Sequence, residues 1–182
     1  MSAMQKPIVF FLGPSGSGKT QLAGWVAEDL RFNHIEIDRW PEDGINLEEL
    51  RKEWDAFLES GQAADLASAI RNRVEEARMD GAILSFPGRL VLPTPRIEAA
   101  KGQGIRSLIL YGTGAECLKA FLQRERQAGR GLDANFWIHN NAQTYADFSR
   151  PEFSKYHLMV FEHSHHRVRG DLVAEVRRRV IG

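Results

Sequence analysis

The stretch Ile8-Val9-Phe10-Phe11-Leu12-Gly13-Pro14-Ser15-Gly16-Ser17-Gly18-Lys19-Thr20 decides how the rest of the chain is read. Five apolar residues in a row, bounded by Pro7 and Gly13, have the pattern of a strand buried on both faces of a parallel sheet. The eight residues after them match GxxxxGK[ST] in full, and helical spacing runs on from Lys19 to Leu30. Glycines let such a backbone turn tightly with its N–H groups pointing inward, and the N-terminus of the following helix adds partial positive charge. Gly13, Pro14, Ser15, Gly16, Ser17, Gly18, Lys19 and Thr20 are therefore read as a phosphate-binding loop. Lys19 is the group that neutralises β- and γ-phosphates, and the Thr20 hydroxyl is a magnesium ligand. Average residue usage produces the bare pattern by chance in about 1% of chains this long, and the strand and helix flanks lower that further.

Outward from the loop, strand-like and helix-like segments alternate. Apolar runs at Ala82–Leu84, Ser107–Tyr111 and His157–Phe161, with a shorter one at Ile35–Asp38, predict four more strands. Helical spacing covers Lys19–Leu30, Leu47–Ser60, Ala63–Met79, Ala115–Ala128, Asn135–Phe148 and Asp171–Val180. Alternation of this kind predicts an α/β domain, a parallel sheet covered by helices on both faces. Two stretches interrupt it: paired helices within 39–80, read as a substrate-binding insertion, and an Arg-rich region at 123–135, read as a lid.

The chain has 182 residues, a length that suits one domain, with 24 Lys plus Arg against 24 Asp plus Glu. A balanced charge supplies no field to hold a polyanion, so nucleic acid is not an expected partner. The single cysteine, Cys117, has no partner for an intrachain disulfide and reads as a small buried residue in a reducing compartment. The N-terminal apolar run is too short to cross a bilayer, and a cytoplasmic protein without membrane contact is expected.

The loop, size and layout resemble the small P-loop kinases: shikimate kinase, gluconate kinase, chloramphenicol phosphotransferase, zeta toxin and the nucleoside monophosphate kinases. The resemblance implies a three-layer P-loop NTPase fold with a five-stranded parallel sheet in the order 2-3-1-4-5, a helical insertion and a lid. It implies ATP with Mg²⁺ as cofactors, and a small-molecule acceptor as second substrate. In such proteins the second strand ends in an acidic residue facing the acceptor hydroxyl, and Asp38 stands there as base or magnesium-water ligand; a turn cap before Arg39-Trp40-Pro41 is the structural alternative. Lid arginines close over the transferring phosphate, and Arg124, Arg126 and Arg130 lie in that region with Gly129 and Gly131 as hinges. Arg126 and Arg130, four apart, share a helix face and are preferred; a solvated basic helix end is the alternative.

The third strand, Gly81 to Ser85, departs from the family because no carboxylate ends it. The segment Phe86-Pro87-Gly88-Arg89 resembles the Phe-Pro-Arg of adenylate kinase with one residue inserted. That would make Arg89 a substrate-anion ligand, or else an ordinary surface charge, while Ser85 would hold metal-bound water. His163, His165 and His166 with Glu162 read as a nucleotide-base loop rather than a metal site. The cluster Phe136-Trp137-Ile138-His139-Asn140-Asn141 faces either a polar substrate or the core, and Trp25 and Trp54 read as packing residues. Two functional classes follow: a kinase for a small hydroxylated molecule, and a nucleotide-binding switch or slow NTPase acting on a partner through the 39–80 helices.

Overall fold

The computed structural model describes residues 5–38, 47–129 and 134–182. Strand β1 (Ile8–Leu12) leads through the glycine-rich loop into α1 (Lys19–Leu30), and β2 (Phe32–Glu36) follows at once. Helices α2 (Glu48–Ser60) and α3 (Ala64–Glu76) precede β3 (Gly81–Ser85), and α4 (Thr94–Gly102) precedes β4 (Ile105–Tyr111). Then come α5 (Gly114–Gln127), α6 (Ala134–Phe148), a 3₁₀ segment at Pro151–Tyr156, β5 (His157–Met159), the short strands β6 (Phe161–Glu162) and β7 (His165–His166), and α7 (Arg169–Val180). The five main strands are parallel in the order β2-β3-β1-β4-β5.

Strand alternation divides the core into two halves. Ile8, Phe10 and Leu12 pack on the face covered by α2, α3 and α4, through residues such as Trp54, Phe57, Leu66, Ile70 and Ile97. Val9 and Phe11 pack on the face covered by α1 and α7, with Leu22, Val26, Leu172 and Val176. Every residue of β1 is buried, which is why this strand shows no polar alternation in sequence.

Three elements differ from the expectations. Strand β2 begins at Phe32, three residues earlier than predicted, because Arg31 takes a left-handed conformation (φ 55°) that turns the chain straight out of α1. Phe32 pairs with Gly81, and Asp38 therefore lies two residues beyond the strand end. Helix α4 is absent from the expected helices; it starts beside Pro93 and Pro95, and a proline in the first turn lacks only an N–H the helix does not use. Only Ile97 and Ala100 of α4 are buried, so its apolar periodicity is faint. The histidine segment is a hairpin, β6 paired antiparallel with β7, whose turn residues His163 (φ 49°) and Ser164 (φ 63°) are both left-handed as a two-residue hairpin turn requires.

Candidate active site

The loop after β1 opens at the carboxyl end of the sheet. Gly16 has φ 83°, and a Cβ there would strike the Cys117 carbonyl oxygen and stand 2.7 Å from the Phe121 amide nitrogen, so α5 lies directly against the loop. On the other side Ser15 packs over Gly88: a Cβ on Gly88 would stand 2.6 Å from the Ser15 nitrogen and 2.8 Å from its Cα. Asn141, buried on α6, donates from Nδ2 to the Ser15 carbonyl at 3.3 Å. The loop is thus held from α5, α6 and the segment after β3 at once. Gly88→Ala is expected to push the loop out of register and weaken nucleotide binding about tenfold or more, with a smaller loss in melting temperature, measured by nucleotide titration and thermal unfolding.

Lys19 is 9% exposed, and its ammonium donates to the carbonyls of Gly13 (2.9 Å) and Pro14 (3.0 Å). Burial pulls its pKa down to about 8; the nearby Arg124 cation adds to this, while Cys117 and Asp38 oppose it. Among the described residues the charge is held by two loop oxygens and by no carboxylate bond, which suits a group kept for incoming phosphate oxygens.

Around Lys19 lies a cavity of about 880 Å³, lined by the loop, Thr20, Gln21, the carboxylates Glu36 and Asp38, Ser85-Phe86-Pro87-Gly88, and Ala120, Arg124, Ala128 and His166. Asp38 is exposed at its rim and Glu36 half-buried. The resemblance pointed to Asp38 alone; Glu36, the last residue of β2, was legible as the other acidic residue two positions before it. Ser85 is buried, and its hydroxyl lies 2.9 Å from Nε2 of His34, which adjoins it from β2.

Helix α5 and its C-cap present Ala120, Arg124 and Ala128 to the cavity, a stripe at four-residue spacing. Arg124 lies 5.3 Å from the Phe121 ring centroid, and its guanidinium Nε and Nη2 meet Oε1 of the buried Glu125 at 2.8 and 2.7 Å. Arg126, about 200° further round the helix, is exposed and does not line the cavity. Arg130 lies outside the described residues, as do Arg39, Trp40 and Gly131. Arg89 is exposed and also off the lining, although Phe86, Pro87 and Gly88 before it are on it.

The hairpin sits on the N-terminus of α5. Glu116 closes a capping box with Thr113 and also accepts from the Ser164 amide, a set of bonds that lowers its pKa. His166 stands next to Gly18 and contacts Phe161, with ring centroids 4.2 Å apart. Trp137 is half-buried against Phe121, whereas Phe136 and Ile138 are exposed. Trp54 is buried and stacked on Phe86 at 4.4 Å, a packing role directly beneath the cavity wall. Among the described residues no three His, Cys, Asp or Glu side chains are grouped to hold a metal ion by themselves, and no helix is long and apolar enough to cross a membrane.

A parallel sheet in the order 2-3-1-4-5, with a glycine-rich phosphate loop between its central strand and the first helix, is the α/β fold of the P-loop NTPases. More narrowly, it is the fold of the small P-loop kinases. The shikimate kinase of Acinetobacter baumannii, solved with shikimate, superposes with a TM-score of 0.53 and 21% identity over 94% of this chain and 91% of that one. A sugar kinase of Janibacter sp. gives 0.53 and 19% over 96% and 94%, and the shikimate kinase of Bacteroides thetaiotaomicron gives 0.52 and 17% over 94% and 96%. At these identities the likeness is one of fold. No family model matches the sequence, and neither does any curated protein.

Proposed function

We propose that the protein is an ATP- and magnesium-dependent phosphotransferase that moves the γ-phosphate to a hydroxyl of a small polar molecule. The observation that carries this reading is the single cavity in which the phosphate loop with Lys19 shares its walls with Asp38, Glu36 and Arg124. Its volume lies near the upper end of the usual range for ligand pockets, which suits two molecules side by side. A phosphate cradle alone would serve a switch; an acidic rim facing it serves an attacking hydroxyl.

In this reading Lys19 leaves the Gly13 and Pro14 carbonyls for the β- and γ-phosphate oxygens. Asp38 accepts the proton of the acceptor hydroxyl as its oxygen bonds to the γ-phosphorus. The bond from that phosphorus to the bridging oxygen breaks, and ADP leaves with the electron pair. Arg124 meets the charge on the transferring group. The donors lining the cavity fit a magnesium ion: the Thr20 hydroxyl, the Glu36 and Asp38 carboxylates and the Ser85 hydroxyl are hard oxygens, and this ion keeps several waters of its own. When bound, magnesium supplies neutralisation of the β- and γ-phosphate oxygens. Enclosure of the two substrates by the segments at 39–80 and 123–135 would keep water from competing as acceptor.

Of the lid cations, Arg124 is expected to matter most: Arg124→Ala should cut kcat about 10²-fold, with partial recovery in Arg124→Lys, and Arg126→Ala should change it less than about threefold. Steady-state rates of the three variants test this, and a larger loss in Arg126→Ala would return the role to Arg126. The reaction itself is tested by ADP release from Mg·ATP with pooled sugars, sugar acids, nucleosides and amino alcohols, with Lys19→Ala as control. Stimulation by one pool identifies the acceptor class. Nucleotide binding without stimulation by any pool would favour the switch or slow NTPase.

A further inference from the structure

The β3 end holds a serine where the chemistry of a magnesium site calls for an acceptor, and the serine is not alone. Ser85 is 3% exposed, lines the cavity, and lies 2.9 Å from Nε2 of His34 on the adjacent strand. Its register partner on that strand is Glu36, so His34, Glu36 and Ser85 share one face of the β2–β3 pair, the face on which α1 packs. A hydroxyl in this position has one proton to place. Given to Glu36, it would occupy one carboxylate lone pair and leave the pair with fewer acceptors; given to the imidazole, it leaves both Ser85 and Glu36 as acceptors toward the cavity.

We propose that His34 is a positioning residue: its Nε2 accepts the Ser85 hydroxyl proton and thereby turns the Ser85 lone pairs toward the hydrogens of cation-bound water. The inference rests on the magnesium part of the proposed function. His34 is half-buried and, unlike Ser85, is not part of the cavity lining, so it acts on the cavity through Ser85. It requires His34 to be in the tautomer with the proton on Nδ1.

The test is the affinity of a non-hydrolysable ATP analogue, measured by calorimetry with magnesium and again with a chelator, for wild type, His34→Phe, His34→Gln, Ser85→Ala and the double variant His34→Phe/Ser85→Ala. His34→Phe and Ser85→Ala should each weaken binding about threefold to tenfold in magnesium and leave it unchanged in chelator. The double variant should be no weaker than Ser85→Ala, and His34→Gln, which can still accept the proton, should recover most of the loss. In wild-type protein with ¹⁵N-labelled histidine, the His34 Nε2 resonance should be of the unprotonated type and should shift in Ser85→Ala. Additive losses, equal losses in chelator, or a protonated Nε2 would each overturn the proposal. Phosphoryl transfer in a wild type whose magnesium-dependent affinity ignores His34 sinks this inference alone. A magnesium-dependent affinity that follows His34, in a protein that phosphorylates no acceptor, sinks the transferase reading alone.

Discussion

Replacing Asp38 by asparagine is expected to lower phosphoryl transfer about 10³-fold while nucleotide affinity stays within about twofold. The side chain keeps its size, and asparagine caps a turn as well as aspartate does, so the local backbone beyond β2 is unaffected. What is lost is the negative charge and proton acceptor at the rim of the cavity, where Asp38 faces the Lys19 side of the loop. Removing that charge also eases repulsion of a triphosphate, which offsets the weaker donation of an amide oxygen toward magnesium, so binding is expected to hold. Single-turnover rates alongside equilibrium titration separate the two effects. Equal loss of binding and transfer would make Asp38 part of the nucleotide site and would remove the base from the mechanism.

Lys19→Met is expected to lower turnover about 10²- to 10³-fold and to weaken nucleotide binding severely, because the cavity loses the ammonium that sits among its loop carbonyls. Its second effect is on stability, and the sign is informative. Burial holds the folded-state pKa at about 8, below the ordinary 10.5, so between these two values the unfolded chain binds more protons than the folded one. Wild-type stability should therefore rise relative to Lys19→Met as pH increases through that window, and the cost of the buried charge should be constant below pH 8. Nucleotide binding reverses the burden, since phosphate oxygens restore the charged form: above pH 8 binding should take up a proton and weaken as pH rises. Denaturant unfolding across the window, and binding calorimetry in buffers of different ionisation enthalpy, measure the two halves. A flat difference between wild type and Lys19→Met from pH 8 to 10.5 would show that the ammonium is not desolvated in the free protein.

The parts of this molecule that could be read from its sequence are those set by near neighbours in the chain. The strand Ile8–Leu12, the eight-residue loop and the helix behind it are consecutive, and glycine spacing, an unbroken run of apolar residues and a lysine at a helix start carry their own local reasons. The alternation of strands and helices led to the fold class in the same way, while the strand order came from resemblance. Asp38 was named because the resemblance puts an acidic residue at the end of the second strand, although that strand starts and ends earlier than the run Ile35–Asp38 suggested.

What the tertiary structure alone decided is which way side chains face. Spacing showed that Arg126 and Arg130 share one side of a helix and Arg124 another, but a helix carries no mark of the side that packs; α5 rests on the loop through Cys117 and Phe121, and that contact turns Ala120, Arg124 and Ala128 to the cavity. Glu36 joins Asp38, His34 reaches Ser85 across 51 positions, and Asn141 reaches Ser15 across 126, because sheet register and helix docking bring them together. The histidines after β5 gave only a loop in sequence, for a left-handed His-Ser turn lacks the glycine or asparagine that normally announces a hairpin. Local chemistry thus determined the phosphate cradle, and long-range packing determined what the cradle faces, since the first depends on backbone conformation along the chain and the second on contacts that no spacing records.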